Sequence, residues 1–148
     1  MFRGQYFHAM DEKGRVAIPA RFREVLAGLG DERLVLAPYE DRQSVGLEAF
    51  PFAAWRKLED NLQGNHPYDE RTLDLIYARV ALAVDCLPDA QGRILVPPDL
   101  REDAGLKREI AFQGHIATFR IWDAEVWRTV RSGARQVFRD VRLTTVKV

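Results

Sequence analysis

Cysteine is almost missing from this chain of 148 residues. The single copy, Cys86, excludes an intramolecular disulfide and points to a reducing compartment. Net charge is missing as well. The 22 basic residues are balanced by 22 acidic ones, so the whole-protein basic signature of nucleic-acid binding is absent and any cationic surface must be local. No apolar run approaches the roughly 18 residues of a membrane span. The opening Met1-Phe2-Arg3-Gly4-Gln5 lacks the apolar stretch of a signal peptide, and the expected location is the cytoplasm. His8, His66 and His115 are scattered without metal-ligand spacing, and no Walker loop, GxGxxG or HExxH motif occurs, so neither a metal nor a cofactor is expected. No low-complexity or Ser/Gly-rich linker divides the chain, which favours one body over two independent ones.

What the chain does have is a repeat. Asp11-Glu12-Lys13-Gly14-Arg15-Val16-Ala17-Ile18-Pro19-Ala20-Arg21-Phe22-Arg23-Glu24 recurs as Asp89-Ala90-Gln91-Gly92-Arg93-Ile94-Leu95-Val96-Pro97-Pro98-Asp99-Leu100-Arg101-Glu102. The offset stays at 78 residues without a gap, and six of the fourteen positions are identical: Asp, Gly, Arg, Pro, Arg and Glu. Mixed polar and apolar identity at a fixed offset indicates duplicated architecture. Two copies of one site suit a ligand that is itself repetitive.

The local patterns give an α+β reading. Residues 6–10 and 15–18 read as strands joined by the turn Asp11-Glu12-Lys13-Gly14, with Asp at its start and Gly able to take positive φ at its end. Pro19 stops the second strand and opens a short helix over 20–29, ending near Gly30. Residues 34–37 and 45–49 read as a strand pair across the polar stretch 39–44. The second half repeats this order: a strand over 83–87, the turn Asp89-Ala90-Gln91-Gly92, a strand over 93–96 and a helix opened by Pro97-Pro98. Strands over 109–113 and 117–122 follow, with their turn at Gly114-His115. Longer helices over 50–62, with Trp55, and 123–138, with Trp127 and Asp123 as N-cap, close the two halves. A further helix over 69–81 joins them and carries Leu73, Ile76, Tyr77 and Val80 on one face. The aromatic set Trp55, Trp122, Trp127, Phe112 and Phe119 is assigned to core or subunit interface.

The repeated turn is the candidate site. Its Asp accepts hydrogen bonds that lock the turn, its Gly relaxes the backbone, and its Arg leaves from a fixed place. A guanidinium held this way can fork onto guanine O6 and N7 or onto a phosphate, and a two-stranded ribbon is narrow enough for the DNA major groove. The same turn also serves as a plain structural hairpin with an internal ion pair. Lys13 adds charge to the first turn; its counterpart Gln91 is neutral and suits adenine. Residues 1–23 hold five basic residues (Arg3, Lys13, Arg15, Arg21, Arg23) against two acidic, and residues 128–148 hold six basic against one acidic. The second run has helical spacing and reads equally as a solvated helix face. The candidate DNA contacts are therefore Arg3, Lys13, Arg15, Gln91 and Arg93, with Asp11, Gly14, Asp89 and Gly92 shaping the turns. Catalysis is the weaker reading: Asp85, Cys86 and Asp89 lie close in sequence, but the first two alternate on a strand and face opposite ways. The chain is not expected to be an enzyme.

These residues carry a resemblance. Met1-Phe2-Arg3-Gly4, then Asp11-x-Lys13-Gly14-Arg15-x-x-Ile18-Pro19-x-x-Phe22-Arg23, then Asp89-x-x-Gly92-Arg93-Ile94-Leu95-x-Pro97, closely resemble the MraZ family of bacterial transcriptional regulators. The likeness covers nearly the whole chain. It implies two tandem, pseudo-symmetric AbrB-like swapped-hairpin repeats, residues 1–64 and 83–148, joined by a linking helix over 65–82. Together they would form one β-barrel-like body with flanking helices, mimicking the dimer of simpler relatives. It further implies a nucleoid-associated regulator of the division and cell-wall gene cluster. Such a regulator binds double-stranded DNA as a homo-oligomeric ring, at short direct repeats in its own promoter. Asp11 with Arg15 and Asp89 with Arg93 would be the signature pairs. Swapped-hairpin relatives also include antitoxins, so an antitoxin-like protein-interaction module is the alternative.

Overall fold

The computed structural model describes residues 1–141 and shows a mixed α+β architecture. In chain order the elements are β1 (Gln5–Ala9), β2 (Arg15–Ala17), α1 (Ala20–Leu29), β3 (Leu34–Asp41), β4 (Ser44–Pro51), α2 (Phe52–Gln63), α3 (Glu70–Ala78), a 3₁₀ turn (Val80–Leu82), β5 (Val84–Cys86), β6 (Arg93–Leu95), α4 (Pro98–Asp103), β7 (Glu109–His115), β8 (Thr118–Asp123) and α5 (Ala124–Asp140). Six strands form one antiparallel sheet in the order β1-β7-β8-β4-β3-β5, and β2 pairs with β6 in a separate ribbon. The expected barrel does not close. The edge strands β1 and β5 do not pair with each other; each leads instead through one repeated turn into one strand of the ribbon.

The two halves interleave. First-half strands β1, β2, β3 and β4 each pair with a strand of the second half: β7, β6, β5 and β8 respectively. Apolar residues from both halves then fill one core. Phe22 is fully buried at its centre, its ring 5.4 Å from Phe2, 5.3 Å from Tyr6 and 4.9 Å from Phe119. Strand β3 is covered on both sides: Leu34 and Leu36 face this core, while Val35 and Ala37 face a second cluster with Phe50 and Trp55 under α2. Trp122, Phe112 and Phe119 are buried as well, whereas Trp127 is half-buried, stacked on Trp122 with its Nε1 donating to Gln5 Oε1 at 2.8 Å. Helix α1 ends at Gly30 in a left-handed cap, and Asp69 and Asp123 cap α3 and α5 through Thr72 N and Glu125 N.

Two turns differ from the sequence reading. β3 and β4 run four and one residues further than expected, to a two-residue turn at Arg42-Gln43 where both φ are positive (53° and 66°). Pro38 is tolerated inside β3 because β5 stops at Leu36, leaving that edge open; the Pro38 carbonyl there accepts from Arg79 Nε at 2.8 Å. The β7–β8 turn falls at Ile116-Ala117, with Ile116 at φ 68°, rather than at Gly114-His115. Gly114 serves another purpose: a Cβ there would lie 2.6 Å from Arg3 Cα, where the chain start crosses β7. The helix expected over 69–81 breaks after Ala78, and its expected apolar face is only partly covered, with Tyr77 exposed.

One buried charge joins helix to sheet. Glu48, 5% exposed, accepts from Arg79 Nη2 and Thr118 Oγ1, each at 2.7 Å, and Arg120 Nε lies 3.4 Å away. The Arg120 guanidinium rests 3.7 Å from the Tyr39 ring centroid. Removing a ring from the main core is a more direct test of stability. Phe22→Ala is expected to cost about 3–5 kcal/mol in urea unfolding, because the site is ringed by aromatic neighbours that cannot collapse into the space.

Candidate nucleic-acid interface

The two repeated turns have the same geometry, bond for bond. In the first, Asp11 N donates to the Arg15 carbonyl and Gly14 N to the Asp11 carbonyl. Asp11 Oδ1 accepts from the backbone amides of Lys13 and Arg15, both at 2.9 Å, and Oδ2 accepts from Arg15 Nε at 2.8 Å. In the second, Asp89 Oδ1 accepts from the amides of Gln91 and Arg93, both at 2.9 Å, and Oδ2 from Arg93 Nε at 3.1 Å. The backbone bond from the Arg15 amide, ahead of the other contacts, holds the Asp11 carboxyl below its ordinary pKa; the Arg93 amide does the same for Asp89. Gly14 and Gly92 sit at φ 88° and 77°, a region that costs an L side chain strain.

The ribbon puts both arginines on one face. Val16 pairs with Ile94, and both are buried at 1% exposure, so the inward side of the ribbon is theirs. Side chains alternate along a strand, so Arg15 and Ala17 on β2 and Arg93 and Leu95 on β6 point outward. Arg15 stands opposite Leu95 and Arg93 opposite Ala17, which makes the two arginines diagonal neighbours about 7–8 Å apart at the backbone. Their side chains are 38% and 34% exposed. Each uses only Nε on its Asp; among the described residues the terminal guanidinium nitrogens hold no hydrogen bond. Lys13 and Gln91 are exposed at the turns beside them. These four candidates are brought together at the two turns of one shared ribbon. Arg3 is not with them: it lies at the β7–β8 turn end of β1, a strand roughly 17 Å long at about 3.4 Å per residue.

Two residues that sequence reasoning did not assign complete the site. A Cβ on Gly14 would fall 2.7 Å from Arg101 Nε and 2.7 Å from the Val96 carbonyl; one on Gly92 would fall 2.6 Å from Arg23 Cδ and Nη1. Each turn is thus covered by the arginine of the other half's helix. The turn glycines also bond across the halves, with the Gly14 carbonyl accepting from Val96 N and the Gly92 carbonyl from Ile18 N, both at 2.9 Å. The signal was present: Arg23 and Arg101 are one of the six identities in the repeat, yet a sequence cannot show that each serves the opposite turn.

Cys86 and Asp85 of the catalytic alternative are held apart on β5. Cys86 packs against the main core, where burial pushes its thiol up to about 11, and Asp85 on the other side of β5 is exposed. Among the described residues no group of three His, Cys, Asp or Glu side chains is placed to hold a metal. No helix there is long and apolar enough to cross a membrane. Of the basic C-terminal run, Arg128 is tied to Glu109 at 2.7 Å and Glu125 at 2.6 Å, which supports the helix-face reading there; Arg142 and Lys147 lie outside the described residues.

Fold and site together define an α+β protein that displays two copies of one Asp-Gly-Arg turn from a single ribbon. The chain belongs to the MraZ family. The family model described as "MraZ protein, putative antitoxin-like" matches residues 1–75 and 80–147. Proteins named Transcriptional regulator MraZ are similar throughout. The one from Geobacter metallireducens is 39% identical over 146 residues, covering 93% of this chain and 92% of its own. That from Anaeromyxobacter sp. strain Fw109-5 is 38% identical over 129 residues, covering 87% and 88%. That from Pelobacter propionicus is 37% identical over 145 residues, covering 92% and 90%.

Acid should loosen these turns. The Asp11 and Asp89 contributions are fully present above the unfolded carboxyl value of about 3.9 and vanish as pH falls through the lower folded values. The amide signals of Arg15 and Arg93 are expected to lose their protection from exchange below about pH 4, ahead of amides in β7 and β8. Asp11→Ala is expected to lower the melting temperature at pH 7 and to abolish the Arg15 part of this acid response while leaving that of Arg93.

Proposed function

We propose that this chain is a sequence-specific DNA-binding transcriptional regulator that reads the major groove through the ribbon formed by β2 and β6. The observation that carries this reading is the outward pair Arg15 and Arg93. Each is pinned through Nε by an aspartate, so the terminal nitrogens are presented with little entropy left to lose. In that pose a guanidinium is ready to fork onto guanine O6 and N7. Lys13 reaches phosphate or guanine beside Arg15, and Gln91 offers adenine a bidentate partner beside Arg93, so the two turns read different bases. The names of the relatives support the regulatory role. In this reading residues 1–64 and 83–148 are two AbrB-like swapped-hairpin repeats within one subunit, joined by 65–82.

One ribbon makes few base contacts, each good bidentate pair being worth about 1–3 kcal/mol of discrimination. Assembly into a ring over short direct repeats in the chain's own promoter would make the later contacts effectively intramolecular and raise avidity by orders of magnitude. The regulated genes in this reading are those of division and cell-wall synthesis, and the protein is associated with the nucleoid. The antitoxin-like reading draws on the family description, and co-purification of a second small chain would favour it.

The test is a mobility shift on the DNA upstream of the coding sequence. Arg15→Ala and Arg93→Ala are each expected to weaken specific binding by about 1–3 kcal/mol per subunit, roughly 5- to 150-fold, with circular dichroism and oligomer size unchanged. Unchanged binding by the double variant would remove the ribbon from the mechanism. An assembly-defective variant is expected to bind one isolated repeat far more weakly than the wild type binds the full promoter. Equal affinity would exclude avidity.

A further inference from the structure

The two turns match, but their flanks do not. Gly30 ends α1 and Gly105 follows α4, both in the left-handed region at φ 76° and 64°, and each is followed by three residues leading into a strand. After Gly30 these are Asp31-Glu32-Arg33; after Gly105 they are Leu106-Lys107-Arg108. Arg33 is occupied: its Nη2 and Nε reach Asp31 at 2.7 and 3.0 Å, and its guanidinium lies 3.9 Å over the Phe52 ring. Glu32 is left exposed as an anion. Lys107 and Arg108 are also exposed, and neither side chain holds an ion pair among the described residues.

Lys107 and Arg108 line a cleft of about 400 Å³ against the first turn, with Asp11, Glu12 and Arg101. Of its two acids, Asp11 is already engaged by Arg15. Arg101 Nη1 makes one long bond, 3.5 Å, to the Glu12 carbonyl, and its Nε is buried with no acceptor. Three cations lining the cleft against one free acid suit a phosphodiester.

We propose that this cleft grips a DNA backbone phosphate beside the first turn, while the equivalent place beside the second turn repels one. The inference rests on the DNA-binding reading above. Its consequence is polarity. Arg15 and Arg93 are related by a near two-fold arrangement that alone would fit DNA in either direction. A phosphate clamp on one flank only fixes which way round a subunit lies. A phosphate contact positions and carries no sequence information, so the clamp sets register and orientation while the arginines read bases.

The test uses the full-length protein and the K107A/R108A double variant, both residues being surface-exposed. Binding is measured from 50 to 300 mM KCl on the upstream fragment and on a scrambled fragment of equal length. The variant is expected to bind both several-fold more weakly, with the preference between them unchanged. Its salt dependence should be shallower by about one per subunit engaged, the one phosphate contact being lost. Phosphate-ethylation interference should show a protected phosphate on one flank of each site, lost in the variant. A variant with wild-type slope and ethylation pattern would overturn the proposal. R15A/R93A run in parallel separates the two failures: if it too binds as wild type, the ribbon reading fails, and if only K107A/R108A does, the clamp alone fails. Inorganic phosphate at constant ionic strength is expected not to compete. Competition at millimolar phosphate that the variant abolishes would assign the cleft to a small anion and overturn the backbone reading.

Discussion

The pairing of three residues of β2 with three of β6 is the constraint on which the site depends. Val16 against Ile94 seals the inward side of the ribbon, and strand alternation then leaves Arg15 and Arg93 no direction but outward. A slip of either strand by one residue would turn its arginine into the core and its aliphatic residue into solvent. The register is held at each end by a bond across the halves, from Val96 N to the Gly14 carbonyl and from Ile18 N to the Gly92 carbonyl. The hydrophobic core and the presented charge are therefore two sides of one pairing.

The turns show why so few residue types fit. The aspartate must accept two backbone amides and one guanidinium nitrogen at once, and only a short carboxylate in this place reaches all three. The glycine answers to two demands together: a positive φ, and the arginine of the opposite half lying where a Cβ would stand. That second demand makes each turn depend on the other half's helix. Charge is handled the same way deeper in the body, where Glu48 holds Arg79 at the end of the linking segment and Arg120 on β8, tying the helix to the sheet through ions that a one-sided deletion would leave unpaired.

Neutral net charge and a locally cationic cleft are compatible because opposite charges are sorted in space. On the ribbon each aspartate is held by the Nε of its own arginine, and the terminal guanidinium nitrogens stay open. On the two flanks the sorting differs, with Lys107 and Arg108 on one and Glu32 on the other. Duplication supplied two turns of the same geometry, and divergence beside them gave the two flanks opposite charge.

The sequence by itself determined the local pieces: α1 with its Gly30 cap, the capping role of Asp123, both turns with their locking aspartates, and the family. These are legible because each depends on neighbours a few residues away, where backbone sterics and short hydrogen bonds decide. Only the tertiary structure decided that the six-stranded sheet stays open, and that Arg15 and Arg93 share one face while Arg3 stands at the far end. It also decided that Arg23 and Arg101 cover each other's turns, and that Gly114 yields to the chain start instead of making a turn. Those outcomes join residues about 70 to 110 positions apart, and contact between such residues is set by which strands find each other and how their buried faces pack, which no local pattern records.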